Sequence, residues 1–154
     1  RIYEGKRSLD CWWPDGYHVR EHRIVDADIT MLCGNVVTSV DRDRLKITSM
    51  QRTTLEGTPH YQYALGNKDV YIDYLNSLKH VTWARAAINQ EHLDIQFMLD
   101  KFDKILYCEE DYLAPPYENK YIICDMSGLV MDGLHRAVTL LSNSVKRAPV
   151  AIVR

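Results

Sequence analysis

The sequence lacks any run of about 18 consecutive apolar residues, the length that a membrane-spanning helix needs. It also lacks the charged and then apolar leader that marks a secreted protein. Neither sign of charge is in excess, since the formal net charge is -2 and the pI is about 6.3. Composition therefore gives no support for a membrane partner or for non-specific binding to nucleic acid. A local basic patch that contacts DNA stays an open alternative.

Cysteine is scarce and scattered. The four cysteines form no C-x-x-C pair, so neither a zinc ribbon nor a redox dithiol is indicated; they are Cys11, Cys33, Cys108 and Cys124. We expect free thiols in a reducing compartment, and therefore a cytoplasmic protein. The 154 residues, of which 46% are hydrophobic, suffice for one domain with a single core. Because the chain begins at Arg1 rather than at methionine, it can equally be a piece of a longer protein.

The first half of the chain carries few regular patterns. The β-branched run at 35–40 predicts a strand, and a short helical turn is expected between Val40 and Leu45. Residues 53–60 are predicted to be a solvated loop, although Glu56 and His60 could also face a cleft.

Two helical stripes follow. Asn67 is a candidate N-cap for a helix whose apolar face is formed by Tyr71, Tyr74, Leu75 and Leu78. A second amphipathic helix is predicted over residues 90–107, with a stripe formed by Ile95, Leu99, Phe102 and Leu106 and flanked by Met98 and Ile105. Both stripes are typical of core packing.

The C-terminal part alternates between strand and helix. Residues 120–124 predict a strand, 125–128 a tight turn with Gly128 at positive φ, and 129–131 the returning strand. A short helix over 134–143 and a final strand over 148–153 complete the pattern.

Two segments offer metal ligands. His18, Glu21 and His22 match the H-x-x-E-H pattern of a zinc hydrolase, but zinc binding at this spacing needs a helix, and no helical stripe follows. The three consecutive acids at 109–111 could hold a divalent cation, although a solvated acidic turn is the simpler interpretation.

The strongest chemical signal lies where the returning strand meets the short helix. Gly133 allows a ligand to approach the backbone closely, and the first-turn N–H groups attract anions, phosphate above all. Arg136 could clamp such an anion, and His135 could donate to it or transfer a proton, with Thr139 orienting its ring one turn later. Asp132 would repel an anion unless it binds magnesium or acts as a base. The alternative is purely structural, with Asp132 as a helix cap.

This segment, Asp132-Gly133-Leu134-His135-Arg136, resembles the D-G-x-H-R motif of the ParB/sulfiredoxin superfamily. The likeness extends over 93–154, and the stretch 36–47 is similar to the opening strand of that family. Sulfiredoxins place a cysteine where Leu134 stands, so their sulfinic-acid reductase activity is not expected. ParB partition proteins carry a different, arginine-rich motif and a further DNA-binding domain. The motif is most similar to that of the free-serine kinases of the superfamily.

The resemblance implies an α/β (α+β) fold, with a small mixed sheet and flanking helices, in a single domain. Residues 1–34 would be an N-terminal extension, and 35–154 the core with a helical insertion at about 67–88. It also implies binding of ATP or another nucleotide triphosphate with Mg²⁺, for phosphoryl transfer to a small hydroxyl compound or for nucleotide hydrolysis.

The site residues that we predict have three roles. The catalytic residues would be Asp132 and His135, the metal ligand Asp132, and the nucleotide-binding residues Gly133, Leu134, His135, Arg136 and Thr139. The base is open among Glu21, Asp41 and Glu56. The alternative function is a nucleotide-gated or DNA-associated module without catalysis, and the oligomeric state is not predicted.

Overall fold

A computed structural model of the chain describes residues 22–44, 46–79, 94–107 and 121–154. Within these ranges the strands are β1 (His22–Asp28), β2 (Cys33–Asp41), β3 (Lys46–Thr54), β4 (Ile122–Asp125), β5 (Val130–Asp132) and β6 (Arg147–Val153). The α-helices are α1 (Pro59–Ala64), α2 (Lys68–Ser77), α3 (Ile95–Leu106) and α4 (Leu134–Ser142). Short 3-10 helices lie at Ile29–Met31 and Leu55–Gly57. In these ranges no helix is long and apolar enough to cross a membrane.

A four-stranded mixed sheet with the order β1-β6-β4-β5 forms the framework. Strand β6 pairs antiparallel with β1 and parallel with β4, while β5 returns antiparallel beside β4. The chain passes from β5 to β6 through α4, which packs over the sheet. The expected fold class, α/β with a small mixed sheet and flanking helices, is confirmed.

Strand β1 lies within residues 1–34, which the sequence predicted to be an extension of the core. Its residues pair with β6 from His22 opposite Val153 to Asp28 opposite Arg147. This part of the predicted extension is therefore an edge strand of the central sheet. Sequence patterning did not indicate it because β1 alternates weakly and contains three charged residues, Arg23, Asp26 and Asp28.

The predicted strand at 35–40 is confirmed as part of β2, but the short helical turn after it is wrong. Asp41 accepts hydrogen bonds from the main-chain N–H groups of Asp43 and Arg44, and the chain returns as β3. An aspartate that bonds the backbone two and three residues later favours a turn over a helix. Strands β2 and β3 form a separate two-stranded sheet, and β3 is exposed along most of its length.

Both predicted amphipathic helices are present within the described residues. In α2 the residues Tyr71 and Leu75 are buried, and Leu78 is buried directly after it. Asn67 is the N-cap by position, but its side chain makes no capping bond and donates instead to Gln62. In α3 the buried face contains Met98, Phe102 and Ile105. The remainders of these predictions, 80–88 and 90–93, lie outside the described residues.

The main hydrophobic cluster joins the helices to the sheet, and a smaller second cluster contains Ile123, Ala151 and Val153. The largest fully buried side chains of the main cluster are Tyr63 from α1, Tyr71 from α2 and Phe102 from α3. Their rings contact one another at centroid distances of 4.8 to 5.6 Å in edge-to-face or tilted geometry. Aromatic pairs in this geometry stabilise a core beyond the area that they bury. The start of α4 lies against this aromatic cluster.

Replacing Asp94 by alanine is expected to lower the free energy of unfolding by about 1 kcal/mol, as the loss of an N-cap does. The Asp94 carboxylate accepts a hydrogen bond of 3.0 Å from the N–H of Phe97 at the start of α3. Urea unfolding followed by circular dichroism measures the change. Asp94→Asn retains the acceptor and should remain within a few tenths of a kcal/mol of the parent protein. Equal stability of Asp94→Ala and the parent would contradict this assignment.

Candidate functional site

The predicted strand-to-helix junction is present, and glycine is required there. Strand β5 ends at Asp132, Gly133 adopts φ of 87°, and α4 begins at Leu134. A Cβ atom at Gly133 would lie 2.8 Å from Nη2 of Arg136 and 3.1 Å from the Cα of Ile122. Positive φ and this close packing both exclude a side chain at this position. The guanidinium of Arg136 therefore lies directly against the backbone of Gly133.

Asp132 and Arg136 interact across this loop. One carboxylate oxygen of Asp132 accepts a 2.8 Å hydrogen bond from the N–H of Gly133, and the other lies 3.7 Å from Nη2 of Arg136. The two side chains remain 27% and 15% exposed. Asp132 therefore braces the loop and balances the charge of Arg136, and both groups retain access to a ligand.

The start of α4 has the electrostatics of an anion site. Gly133 is the N-cap residue, and no side chain in the described part of the chain caps the helix. The first helical hydrogen bond runs from the N–H of Ala137 to the carbonyl of Gly133. Main-chain N–H groups of the first turn, such as those of Leu134 and His135, point away from the helix and carry its partial positive charge.

Leu134 faces the protein interior. It packs against the core, and a Cβ atom built on Gly34 of β2 would lie 3.2 Å from Leu134 Cδ1 and 3.2 Å from Thr58 Cγ2. Of the predicted contributions of Leu134 to a ligand, only its main-chain N–H fits this position.

The imidazole of His135 is turned toward the aromatic cluster. Its Nε2 lies 2.9 Å from the hydroxyl of Tyr71, and its ring meets Phe102 edge-to-face at a centroid distance of 4.6 Å. The ring of His60 lies 5.2 Å away and contacts Tyr71 and Tyr74 as well. The Nε2 side of the His135 ring is therefore occupied by Tyr71.

Burial controls the protonation of this cluster. It lowers the pKa of His60 to about 3 and lowers the pKa of His135 well below its ordinary value, where the nearby His60, Lys101 and Arg136 add to the effect. Burial also raises the pKa of Tyr71 above its ordinary value. At neutral pH both imidazoles are uncharged and Tyr71 is protonated.

Thr139 does not orient the His135 ring, contrary to our prediction. Thr139 is 6% exposed, and its Oγ1 atom is buried without a hydrogen-bond partner in the described ranges. The hydroxyl that contacts the ring comes from Tyr71 on α2. The predicted spacing of four residues does place Thr139 on the same helix, but the hydrogen bond to the ring comes from Tyr71.

A comparison with protein-family models, curated proteins and solved structures finds no match.

Sequence reasoning named His60 only as an alternative, and the solvated loop that it preferred over 53–60 is wrong. After β3 and a 3-10 turn, Thr58 caps α1 by accepting from the N–H of Tyr61, and Pro59 occupies the first helical position. Residue His60 is thus in the first turn of a helix, and its Nδ1 is buried without a partner in the described ranges. The Thr-Pro pair is a known helix-start signal and could have identified α1.

The candidate bases and metal ligands are dispersed. Asp41 is engaged in the hairpin turn and lies 3.7 Å from Arg44, whereas Glu56 is exposed in the 3-10 helix before α1. Glu21 and His18, together with the acids at 109–111, lie outside the described residues, and His22 begins strand β1 rather than a helix. In the described ranges no group of three His, Cys, Asp or Glu side chains could hold a metal ion. Cys33 and Cys124 are free thiols, as expected.

Proposed function

We propose that this chain is a nucleotide-binding protein of the ParB/sulfiredoxin type, with the phosphates of ATP or another nucleotide triphosphate at the start of α4. The single observation that carries the proposal is the uncapped start of α4 at Gly133, with the Arg136 side chain lying against the loop. Main-chain N–H groups and an arginine together bind phosphate oxygens well.

Asp132 determines which form of the nucleotide suits the site. Its carboxylate lies 3.7 Å from Arg136 and would oppose a bare polyphosphate. Mg²⁺ commonly uses one or two protein carboxylates together with phosphate oxygens, so a single half-buried carboxylate beside the phosphate site fits it. When bound, the ion would neutralise phosphate charge. We therefore propose that the ligand is a magnesium–nucleotide complex held by Asp132, Arg136 and the first turn of α4.

The reaction that we propose is phosphoryl transfer to a small hydroxyl compound, or hydrolysis of the nucleotide. In phosphoryl transfer the protein mainly positions the reactants and stabilises the charge on the phosphate. Arg136 and the start of α4 would do both. Asp132 would accept the hydroxyl proton or position the ion. Glu56 remains a candidate base, since the 3-10 helix that contains it ends just before Thr58, the N-cap residue of α1, and Thr58 lies near Leu134.

One observation favours a second function, nucleotide binding without catalysis. Asp132 already interacts with Gly133 and Arg136. A carboxylate with these two partners serves a structural role without any reaction. A nucleotide-gated module, with or without DNA as a partner, would use the same phosphate site.

Magnesium–ATP is expected to raise the melting temperature of the parent protein, and Arg136→Ala should weaken the affinity by about tenfold or more, since charge-assisted hydrogen bonds are lost. Thermal-shift titrations with ATP, CTP and GTP, each with and without Mg²⁺, measure both effects. The matched control is Arg147→Ala, which removes an exposed arginine paired with Asp26 on the far strands β1 and β6.

The proposal fails if no nucleotide stabilises the protein, or if Arg136→Ala and Arg147→Ala bind equally well. Phosphate release or transfer that depends on an added hydroxyl compound would support the enzyme. Binding without any turnover, in the parent protein and in the presence of Mg²⁺, would support the gated module instead.

A further inference from the structure

The hydrogen bond between Tyr71 and His135 assigns the protons of both groups. Tyr71 is fully buried, so its hydroxyl proton needs an acceptor. In the described ranges the partner of this hydroxyl is Nε2 of His135, at 2.9 Å. If Nε2 carried a proton and donated it to Tyr71, the hydroxyl proton of Tyr71 would be left without an acceptor. The arrangement that satisfies both groups has Tyr71 as the donor and Nε2 as the acceptor.

A neutral imidazole that accepts through Nε2 carries its proton on Nδ1. Nδ1 is the ring nitrogen nearer the main chain, and the main chain of His135 lies in the first turn of α4. Burial keeps the pKa of His135 low and the pKa of Tyr71 high, which excludes the charged forms at neutral pH.

We infer that Tyr71 is a positioning residue that fixes His135 in the Nδ1–H tautomer, so that the ring presents an N–H donor beside the first-turn N–H groups of α4. The use of this donor by a ligand rests on the proposed phosphate site, but the tautomer itself does not. Tyr71 acts through His135 and does not touch the ligand. His135 is then a neutral hydrogen-bond donor, the first of the two roles that the sequence left open for it, and not a proton-transfer group.

The packing around the ring supports this role. The centroid of the His135 ring lies 4.6 Å from that of Phe102 and 5.2 Å from that of His60. A ring confined by two neighbours and bound through Nε2 has little freedom to flip. The same arrangement, in which a second group fixes the tautomer of a functional histidine, is common in metal and catalytic sites.

Nitrogen NMR of the histidine side chains in the nucleotide-free protein tests the inference. The parent protein is expected to show a protonated Nδ1 and an unprotonated Nε2 for His135 at pH 7. In Tyr71→Phe the ratio of the two tautomers should shift by about fivefold or more toward Nε2–H, the effect of losing one buried hydrogen bond. A structural role alone would change stability without changing this ratio.

Tyr74→Phe is the matched control. It removes another tyrosine hydroxyl from the same helix, one that accepts from the N–H of Val37, and should leave the His135 tautomer unchanged. The inference is overturned if the parent protein shows Nε2–H, or if Tyr71→Phe keeps the Nδ1–H form in full. If Tyr71→Phe does not fold, the parent spectrum decides alone.

The binding experiment separates this inference from the proposed function. With the Nδ1–H tautomer present, addition of magnesium–ATP should shift the Nδ1 resonance, and Tyr71→Phe should bind more weakly than Tyr74→Phe. If the tautomer changes as expected in Tyr71→Phe while no nucleotide binds the parent protein, the role of Tyr71 stands and the nucleotide proposal is lost.

Discussion

Lowering the pH from 7 to 5 is expected to reduce the free energy of unfolding by about 4 kcal/mol, which is a large part of the stability of a small domain. The effect comes from His60 and His135, whose rings lie 5.2 Å apart in the aromatic cluster. Neither can take up a proton in the folded protein without placing a charge among Tyr71, Tyr74 and Phe102.

The sign follows from the direction of the two pKa shifts. Burial lowers the pKa of His60 to about 3 and that of His135 well below its ordinary value, whereas in the unfolded chain both return to about 6.5. Below pH 6.5 the unfolded chain therefore binds more protons than the folded protein. Each histidine then costs about 1.4 kcal/mol of stability per pH unit as the pH falls, and the loss stops only near the folded pKa.

Urea unfolding at pH 7 and at pH 5 measures the change, in a window where exposed carboxylates remain ionised. His60→Phe keeps an aromatic ring but removes one titrating group, so it should show about half of the pH dependence, near 2 kcal/mol. A loss of less than about 1 kcal/mol between the two pH values in the parent protein would contradict the buried, neutral pair.

Gly133→Ala is expected to lower the free energy of unfolding by about 3 kcal/mol, because it combines backbone strain with a steric clash. The φ of 87° at Gly133 is unfavourable for alanine. The new Cβ would also lie 2.8 Å from Nη2 of Arg136 and 3.1 Å from the Cα of Ile122, and the backbone of β4 cannot move aside easily. Arg136 would be displaced from the loop, so nucleotide binding should weaken as much as in Arg136→Ala.

Gly66→Ala is the matched control for this substitution. Gly66 also has positive φ, at 99°, but a Cβ atom there would meet nothing within 4 Å. Gly66→Ala should therefore lower the free energy of unfolding only by the backbone strain, about 1 to 2 kcal/mol, and leave nucleotide affinity unchanged. Equal destabilisation by the two substitutions would show that the contact with Arg136 and Ile122 adds nothing. Both are measured by urea unfolding and by nucleotide titration.

Local patterns predicted the elements that depend on their own residues. The stripe of Ile95, Leu99, Phe102 and Leu106 predicted α3, although its buried face is formed by Met98, Phe102 and Ile105. The turn with Gly128, at φ of 85°, predicted the β4–β5 hairpin. The position of Gly133 between β5 and α4 was also predicted, since strand, glycine and helix signals follow one another directly. The cytoplasmic location and the nucleotide ligand remain predictions.

Long-range contacts were beyond such patterns. Strand β1 forms by pairing with β6, more than 100 residues later in the chain. The sequence of β1 is too polar to predict a strand of the central sheet. Strand β3 is mostly exposed and therefore lacks an apolar alternation, so the hairpin was missed. His60 was misjudged for a related reason, because its burial results from α2 and α4 packing around it.

The sequence alone determined the loop at Gly133: a strand, a residue without a side chain and a helix, with Asp132 and Arg136 on either side. Those features follow from local backbone preferences, which neighbouring residues specify. Only the tertiary structure decided what surrounds the loop. It turned His135 inward to Tyr71, brought His60 to 5.2 Å from it and left Thr139 without a role in orienting the ring. His135, Tyr71 and His60 lie on three separate helices, and only packing around a common core selects which of their side chains meet.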